Sequence, residues 1–137
     1  MIAFTAGEKS YADAILDELD PEGVLVHHRL YRDHCVRLNP KIFAKDLSII
    51  NRPLSQMVLV DNSPLSYLYQ VENGVPLLPY YSGEDTELLR LEKYLDLLRK
   101  ESDVRDLNRR TFKLESYWYF SDVEELVQDL YCDQHCL

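Results

Sequence analysis

The residues best placed to do chemistry follow a short apolar run in the middle of the chain. Met57–Val60 are four apolar residues in succession, and Asp61, Asn62 and Ser63-Pro64 come directly after them. A continuous apolar run that ends in turn residues is typical of a strand buried on both faces, as in a parallel sheet. Ligands of open α/β sheets bind at the carboxyl ends of such strands, so Asp61 stands where catalysis or metal binding takes place. From this stretch alone, the simpler interpretation is that Asp61 and Asn62 only open a turn.

The segments before this run alternate between strand and helix patterns. Met1–Gly7 is predicted as an apolar strand with a turn, and Ser10 as the cap of a helix that ends at Asp20–Gly23. Val24–His28 is predicted as a second strand, and Asn39-Pro40 as the turn of a hairpin. This alternation predicts an α/β domain.

The segments after the run are predicted to form one edge strand and two helices. Val75–Leu78 is apolar, but its prolines confine it to a sheet edge. A helix is predicted to start at Asp85 or Thr86, with an apolar face of Leu88, Leu91, Leu95 and Leu98. A last amphipathic helix starts at Ser121, which forms a capping box with Glu124.

The composition limits the classes of function. The 137 residues carry a net charge of -9, which argues against broad binding to nucleic acid but leaves room for a small basic pocket. No apolar run approaches the length of a membrane span, and no signal peptide precedes the first strand. Three cysteines fit reduced thiols better than a disulfide framework. We therefore expect an intracellular protein, nuclear or cytoplasmic.

Several short motifs together resemble a known family. Phe4–Gly7 followed by Ser10–Asp13 is similar to the FTAS and YA segments of the carboxy-terminal-domain small phosphatases and their Dullard-like relatives. Arg29–Cys35 resembles the arginine- and cysteine-containing segment of that family, Lys45–Ser48 matches its KDLS motif, and Val60–Pro64 matches its DNSP motif. The order and approximate spacing hold over roughly residues 1 to 105, so the resemblance is specific.

The resemblance implies a haloacid-dehalogenase-like, Rossmann-like parallel sheet with helices. It also implies Mg²⁺-dependent hydrolysis of phosphoserine or phosphothreonine in proteins, as in phosphatases of the RNA polymerase II carboxy-terminal domain. In that chemistry one aspartate attacks phosphorus, and a second aspartate two residues later protonates the leaving oxygen. Mg²⁺ and a lysine neutralise the phosphoryl oxygens, which is the electrostatic stabilisation that phosphoryl transfer requires.

Five positions of this sequence match functional positions of the family. By resemblance, Thr5 would hydrogen-bond the phosphoryl group, Lys45 would be the phosphate-facing ammonium, and Arg32 would contact the substrate. Asp61 would be a carboxylate of the Mg²⁺ site, with Asn62 beside it. Each of the first three also has a plain structural interpretation: Thr5 as a strand-end cap, Lys45 as a solvated turn residue and Arg32 as a surface ion pair.

The sequence departs from the family at the nucleophile. The family motif Asp-x-Asp-x-Thr does not occur in these 137 residues, and Asp17-Glu18-Leu19-Asp20 and Asp103-Val104-Arg105-Asp106 do not follow buried strands. We therefore expect a chain that is truncated before the nucleophile and inactive as written. Its sheet would lack the first, central strand, which in the family lies between Ile2–Phe4 and Met57–Val60.

Two functional hypotheses follow. In the first, residues 1–107 are the C-terminal portion of a protein serine/threonine phosphatase domain, and residues 108–137 are an extension that ends in an amphipathic helix. In the second, the chain is a pseudophosphatase that binds a phosphopeptide or a protein partner without hydrolysis. Both predict a phosphorylated protein or peptide as ligand, no nucleic acid and no membrane span. A strand or the last helix would provide the surface for a protein partner.

Overall fold

The computed structural model describes residues 1–113. These residues belong to two compact units, Met1–Asp46 and the following part of the chain. Within the described part the strands pair two by two into three small sheets. The predicted helix at Ser121 lies outside the described residues. No helix among residues 1–113 is long and apolar enough to cross a membrane.

The first unit begins with a β-α-β segment. Strand β1 (Ile2–Phe4) is followed by helix α1 (Lys9–Leu19) and by strand β2 (His28–Leu30), which pairs with β1 in parallel. The predicted first strand is confirmed. The predicted cap at Ser10 is wrong, because the amide of Ala12 already bonds the carbonyl of Glu8 at 3.0 Å and places Ser10 inside the first turn.

The loop after α1 is organised by one carboxylate. Asp20 is buried and accepts the backbone N–H groups of Val24 at 3.1 Å, Leu25 at 3.0 Å and Val26 at 2.8 Å. These amides are thereby withdrawn from any strand ladder. The predicted second strand is therefore displaced, and β2 starts only at His28.

The hairpin predicted around Asn39-Pro40 is confirmed. Strands β3 (Val36–Arg37) and β4 (Phe43–Ala44) pair antiparallel. The side chain of Asn39 accepts the amides of Lys41 and Ile42, both at 2.8 Å. This is the local side-chain turn that favours asparagine at such positions.

The second unit contains another parallel pair. Strand β5 (Leu59–Asp61) pairs with β6 (Gly74–Pro76), so the predicted central strand is confirmed with a shift towards Asp61. The strand does not start at Met57, because the amide of Met57 closes a 3-10 turn on Leu54 at 3.3 Å. Parallel strands with intervening helices confirm the α/β class.

The start of β6 is packed tightly. Asn73 is 1% exposed, and its amide nitrogen donates to the carbonyls of Leu54 and Met57, both at 2.6 Å. The next residue, Gly74, lies against Tyr67 so closely that a Cβ would come within 2.6 Å of the ring. Only glycine fits at this position without displacing the ring.

Two helices complete the described part of the second unit. Helix α2 (Glu87–Leu98) begins after Thr86, as predicted, but of its predicted apolar face only Leu98 is buried, and Leu88 is 70% exposed. Helix α3 (Val104–Phe112) was not expected from the sequence pattern; its signal is Asp103, whose carboxylate accepts the amide of Arg105 at 3.0 Å. The domain boundary predicted after residue 107 falls within α3 and stays a prediction.

A buried amide joins these helices to the turn that precedes β6. The side chain of Asn108 accepts the hydroxyl of Tyr94 at 2.8 Å and donates to the carbonyl of Glu72 at 2.9 Å. Burial raises the pKa of Tyr94 to about 12, so its hydroxyl remains a donor. The core around this contact consists of Leu47, Leu59, Tyr67, Val75, Leu98 and Phe112.

Replacing Asp20 with asparagine is expected to lower the melting temperature near neutral pH more than near pH 2. The amide of Val26, then those of Leu25 and Val24, hold the pKa of Asp20 below its ordinary value of 3.8. Such a carboxylate stabilises the fold above its unfolded-state pKa, and this contribution is lost as pH falls through the lower folded-state pKa. Thermal unfolding followed by circular dichroism measures the difference, with the exposed Glu22→Gln as control. A pH-independent difference between Asp20→Asn and wild type would contradict this account.

Replacing Asn73 with alanine is expected to lower the free energy of unfolding by about 2–3 kcal/mol, the usual cost of buried polar groups left unpaired. In the variant the carbonyl of Leu54 still accepts a hydrogen bond from the amide of Met57. Most of the lost stability therefore arises at the carbonyl of Met57, which loses the Asn73 donor. Urea titration of Asn73→Ala beside the exposed Gln56→Ala tests this. Equal midpoints for the two variants would show that the Asn73 contacts are not important for stability.

Candidate functional site

The loop after β1 brings a hydroxyl and a glycine into close contact. Thr5 extends the β1–β2 ladder by donating its N–H to the carbonyl of Leu30 at 2.9 Å. Its Oγ1 accepts the N–H of Gly7 at 2.9 Å, which is the strand-end capping role. A Cβ on residue 7 would lie 3.2 Å from that oxygen. Because the oxygen accepts from Gly7, the hydroxyl hydrogen of Thr5 is directed towards a different acceptor.

Arg32 binds the same loop through its backbone and its side chain. Its N–H donates to the carbonyl of Gly7 at 3.0 Å, and its Nε donates to the carbonyl of Ala6 at 2.7 Å. It also forms the expected ion pair, with Glu8 at 3.1 Å. A guanidinium has five N–H donors in a planar fork, so these contacts leave Nη2 to bind an anion.

Lys45 directly follows β4 and is only 6% exposed. The alternative of a solvated turn residue is therefore wrong. Its ammonium lies 5.9 Å from the centre of the Phe4 ring, within the range of a cation–π contact. A buried ammonium is further stabilised by any anion that comes close to it.

The structure therefore brings three of the five predicted residues to one end of the first unit's parallel sheet. Thr5 and Arg32 share one loop, and Phe4 under the Lys45 ammonium directly precedes Thr5. A hydroxyl, a guanidinium and an ammonium are all hydrogen-bond donors. This combination suits the oxygen atoms of a phosphoryl group.

A network of charged groups fixes the segment that leads to Arg32. Asp13 of α1 accepts the hydroxyl of Tyr31 at 2.6 Å and Nη1 of Arg29 at 3.0 Å, and it also pairs with Lys9. Hydrogen bonds from Lys9, then from Tyr31 and Arg29, hold the pKa of Asp13 well below its ordinary value. No motif pointed to this network, although Lys9 and Asp13 have the spacing of a helical ion pair.

Asp61 and Asn62 belong to the second unit. Asp61 is the last residue of β5; its carbonyl accepts the amide of Leu77 at 3.2 Å, and its Oδ1 accepts the amide of Ser63 at 2.8 Å. The turn-opening role of Asp61 is therefore present. Asn62 is exposed.

The oxygen ligands at this position fit part of a magnesium site. Mg²⁺ is commonly held by one or two carboxylates, while water and substrate phosphate complete its octahedral shell. Asp61 supplies one carboxylate and Asn62 one amide oxygen, both of the hard oxygen type. Within residues 1–113, no three His, Cys, Asp or Glu side chains lie together as a metal site.

The cationic side chains of the β3–β4 hairpin were not among the predicted residues. Arg37 and Lys41 line a cavity of about 630 Å³ in the first unit, together with Arg32. The available signal was the pair of basic residues on either side of Asn39-Pro40 in a chain of net charge -9.

The comparisons with known proteins agree with the motifs. The family model for NLI interacting factor-like phosphatases matches residues 1–105. The chain is 43% identical over 115 residues to CTD small phosphatase-like protein 2 of Dictyostelium discoideum. The matched segment is 83% of this chain and 20% of that relative. The chain is 36% identical over 119 residues to CTD nuclear envelope phosphatase 1B of Danio rerio, covering 86% and 48% of the two proteins.

A human relative gives the same picture. The CTD small phosphatase-like protein of Homo sapiens is 41% identical over 110 residues, which are 80% of this chain and 39% of the relative. The chain thus spans between a fifth and about half of the length of these three relatives. The match over residues 1–105 shows that the chain belongs to the NLI interacting factor-like phosphatase family, as the motif resemblance predicted.

Proposed function

We propose that this chain is the phosphate-recognition portion of a Mg²⁺-dependent protein serine/threonine phosphatase domain of the haloacid-dehalogenase type. The observation that carries this proposal is the set of donors at the end of β1. There the Thr5 hydroxyl and the Arg32 guanidinium contact one loop, and the buried Lys45 ammonium lies over the ring of Phe4, which precedes that loop. A donor set held in place before the ligand arrives stabilises charge at little reorganisation cost.

Each of these side chains has one task in the proposed site. The Thr5 hydroxyl donates to a phosphoryl oxygen, because its own oxygen is oriented by Gly7. Arg32 donates through Nη2 while Nε keeps the loop carbonyl. Lys45 neutralises phosphoryl charge from a poorly solvated position, where a Coulomb interaction is stronger than in water.

In the second unit, Asp61 and Asn62 would hold Mg²⁺. When bound, such an ion supplies Lewis-acid stabilisation of negative charge on an oxygen atom. The residues themselves provide a carboxylate oriented by the Ser63 amide and an adjacent side-chain amide.

By itself this chain is proposed to bind a phosphoester without turning it over. Its 137 residues contain no Asp-x-Asp-x-Thr, so the phosphoaspartate nucleophile and its general acid would have to come from another segment or chain. The phosphorylated ligand would be a protein or peptide, and we propose a nuclear or cytoplasmic location. Residues 1–107 would form the domain portion and 108–137 its extension.

The pairing of β1 leaves one edge of this strand at which such a segment would pair. In a parallel ladder, successive residues direct their backbone groups alternately to the two sides. Met1 and Thr5 bond towards β2, so the backbone groups of Ile2 and Phe4 point to the opposite edge. No other strand among the described residues pairs with β1 at that edge. The same reasoning leaves Val60 of β5 directed away from β6.

The alternative is a pseudophosphatase that binds a phosphopeptide or a protein partner and never hydrolyses it. It predicts the same binding residues. It differs in one respect: a strand carrying Asp-x-Asp-x-Thr would not restore turnover.

The first test measures Mg²⁺-dependent phosphate release from p-nitrophenyl phosphate. We expect none from the 137-residue chain. We expect turnover when an Asp-x-Asp-x-Thr strand taken from a family member is joined to its N-terminus, and loss of that turnover in the same protein with Asp61→Asn. Turnover by the 137-residue chain that disappears in Asp61→Asn would refute the proposed inactivity. A folded extended chain that binds phosphopeptide but stays inactive would favour the pseudophosphatase.

The second test measures binding of a phosphoserine peptide by fluorescence anisotropy. Lys45→Met should weaken binding by about tenfold or more, since a poorly solvated charge-assisted contact is lost. The exposed Lys100→Met serves as the charge-matched control, and circular dichroism verifies that both variants are folded. Equal affinities for Lys45→Met and Lys100→Met would remove Lys45 from the site.

A further inference from the structure

The first unit carries a cationic pocket beside the phosphoryl-binding loop. Its cavity of about 630 Å³ is lined by Arg32, Arg37, Lys41 and Phe43, and among the described residues of the lining Asp33 is the only carboxylate. Three cations and one carboxylate give this pocket a positive charge balance, whereas the whole chain has a net charge of -9. Such a local reversal of charge attracts anions to one place on an otherwise repelling surface.

The arrangement depends on the hairpin and on Phe43. Arg37 of β3 is the cross-strand partner of Phe43 of β4, so both side chains lie on the same face of the hairpin. The guanidinium carbon of Arg37 lies 5.9 Å from the Phe43 ring centre, and that of Arg32 lies 5.3 Å from it. One aromatic ring therefore positions two guanidinium groups.

The hairpin cations are not paired with any carboxylate in the described part of the chain. Within residues 1–113, neither Arg37 nor Lys41 forms an ion pair; the Arg37 Nε donates only to the carbonyl of Asn39, at 3.3 Å. Both side chains are exposed. Arg32, by contrast, has Glu8 and the loop carbonyl of Ala6 as partners, so it connects this pocket to the loop that carries Thr5.

We propose that this pocket, defined by Arg32, Arg37, Lys41 and Phe43, binds a second anionic group of a peptide ligand, close in sequence to its phosphorylated residue. This proposal rests on the proposed function, because it deepens the substrate class of the same site. The anionic group is a carboxylate or a second phosphate, and both are acceptors that guanidinium groups bind in a fork geometry. The expected substrate is thus a phosphoserine or phosphothreonine in an acidic or multiply phosphorylated segment.

The test uses four fluorescein-labelled synthetic peptides and the full 137-residue chain. One peptide has a single phosphoserine between alanines, the second has the same phosphoserine between glutamates, and the third has two phosphoserines. The fourth has the glutamates without phosphate. The variant is Arg37→Gln with Lys41→Gln, and the charge-matched control is Arg52→Gln with Lys100→Gln, which are exposed cations of the second unit.

Wild type should bind the glutamate-flanked or the doubly phosphorylated peptide about tenfold more tightly than the alanine-flanked one, as expected from charge-assisted contacts. The Arg37→Gln/Lys41→Gln variant should lose that difference and keep its affinity for the alanine-flanked peptide within about twofold. The control variant should behave as wild type. Preference for only one of the two anionic peptides identifies whether carboxylate or phosphate is the ligand group.

Three results would overturn the proposal. In the first, wild type binds the alanine-flanked, the glutamate-flanked and the doubly phosphorylated peptides with equal affinity. In the second, the hairpin variant loses the same amount of affinity for every peptide. In the third, the control variant shows the same losses as the hairpin variant. Failure of the proposed function looks different: wild type would then bind phosphorylated peptides no better than the unphosphorylated glutamate peptide. If the hairpin variant still lost affinity for that glutamate peptide, the pocket would be supported as an anion-binding site, and only the proposed phosphoryl site would be refuted.

Discussion

Every strand in the described part of this protein is two or three residues long, so polar side chains must satisfy backbone groups that longer ladders would pair. Asp20 binds three amides of the loop before β2, and Asn73 binds two carbonyls before β5. Asn108 binds the carbonyl of Glu72. All three side chains are buried, so each of these backbone contacts lies away from solvent.

The same constraint shapes the candidate site. The loop Thr5–Gly7 receives two hydrogen bonds from Arg32 and one internal bond from Gly7 to Thr5. Arg32 therefore has a structural role in addition to the binding role that is proposed for it. Loss of its guanidinium would affect the shape of the loop as well as the contact with an anion. Lys45 is the second cation of the proposed site, and its ammonium lies over the ring of Phe4, which directly precedes this loop.

Charge is distributed unevenly in this acidic chain. Elsewhere carboxylates pair with arginines: Asp13 of α1 contacts Arg29 of β2, and Glu72 contacts Arg109 of α3. At the β3–β4 hairpin the cations face a cavity. A ligand that combines a phosphoester with a second anion would therefore meet donors at the loop and at the hairpin of the same unit.

The sequence by itself determined the family and the positions of five candidate residues. The motifs around Thr5, Arg32, Lys45 and Asp61 are local strings, and a local string can be read without knowing the fold. It also predicted β1, the hairpin and the start of α2, because turn residues and apolar runs mark them. Only the tertiary structure decided where β2 begins, since three amides bind the Asp20 carboxylate across the loop. It alone showed that Lys45 is buried, where its ammonium lies over the ring of Phe4, a residue distant in sequence. It alone showed that Arg37 and Lys41 line one cavity with Arg32, because that depends on how the hairpin folds back beside the segment that carries Arg32.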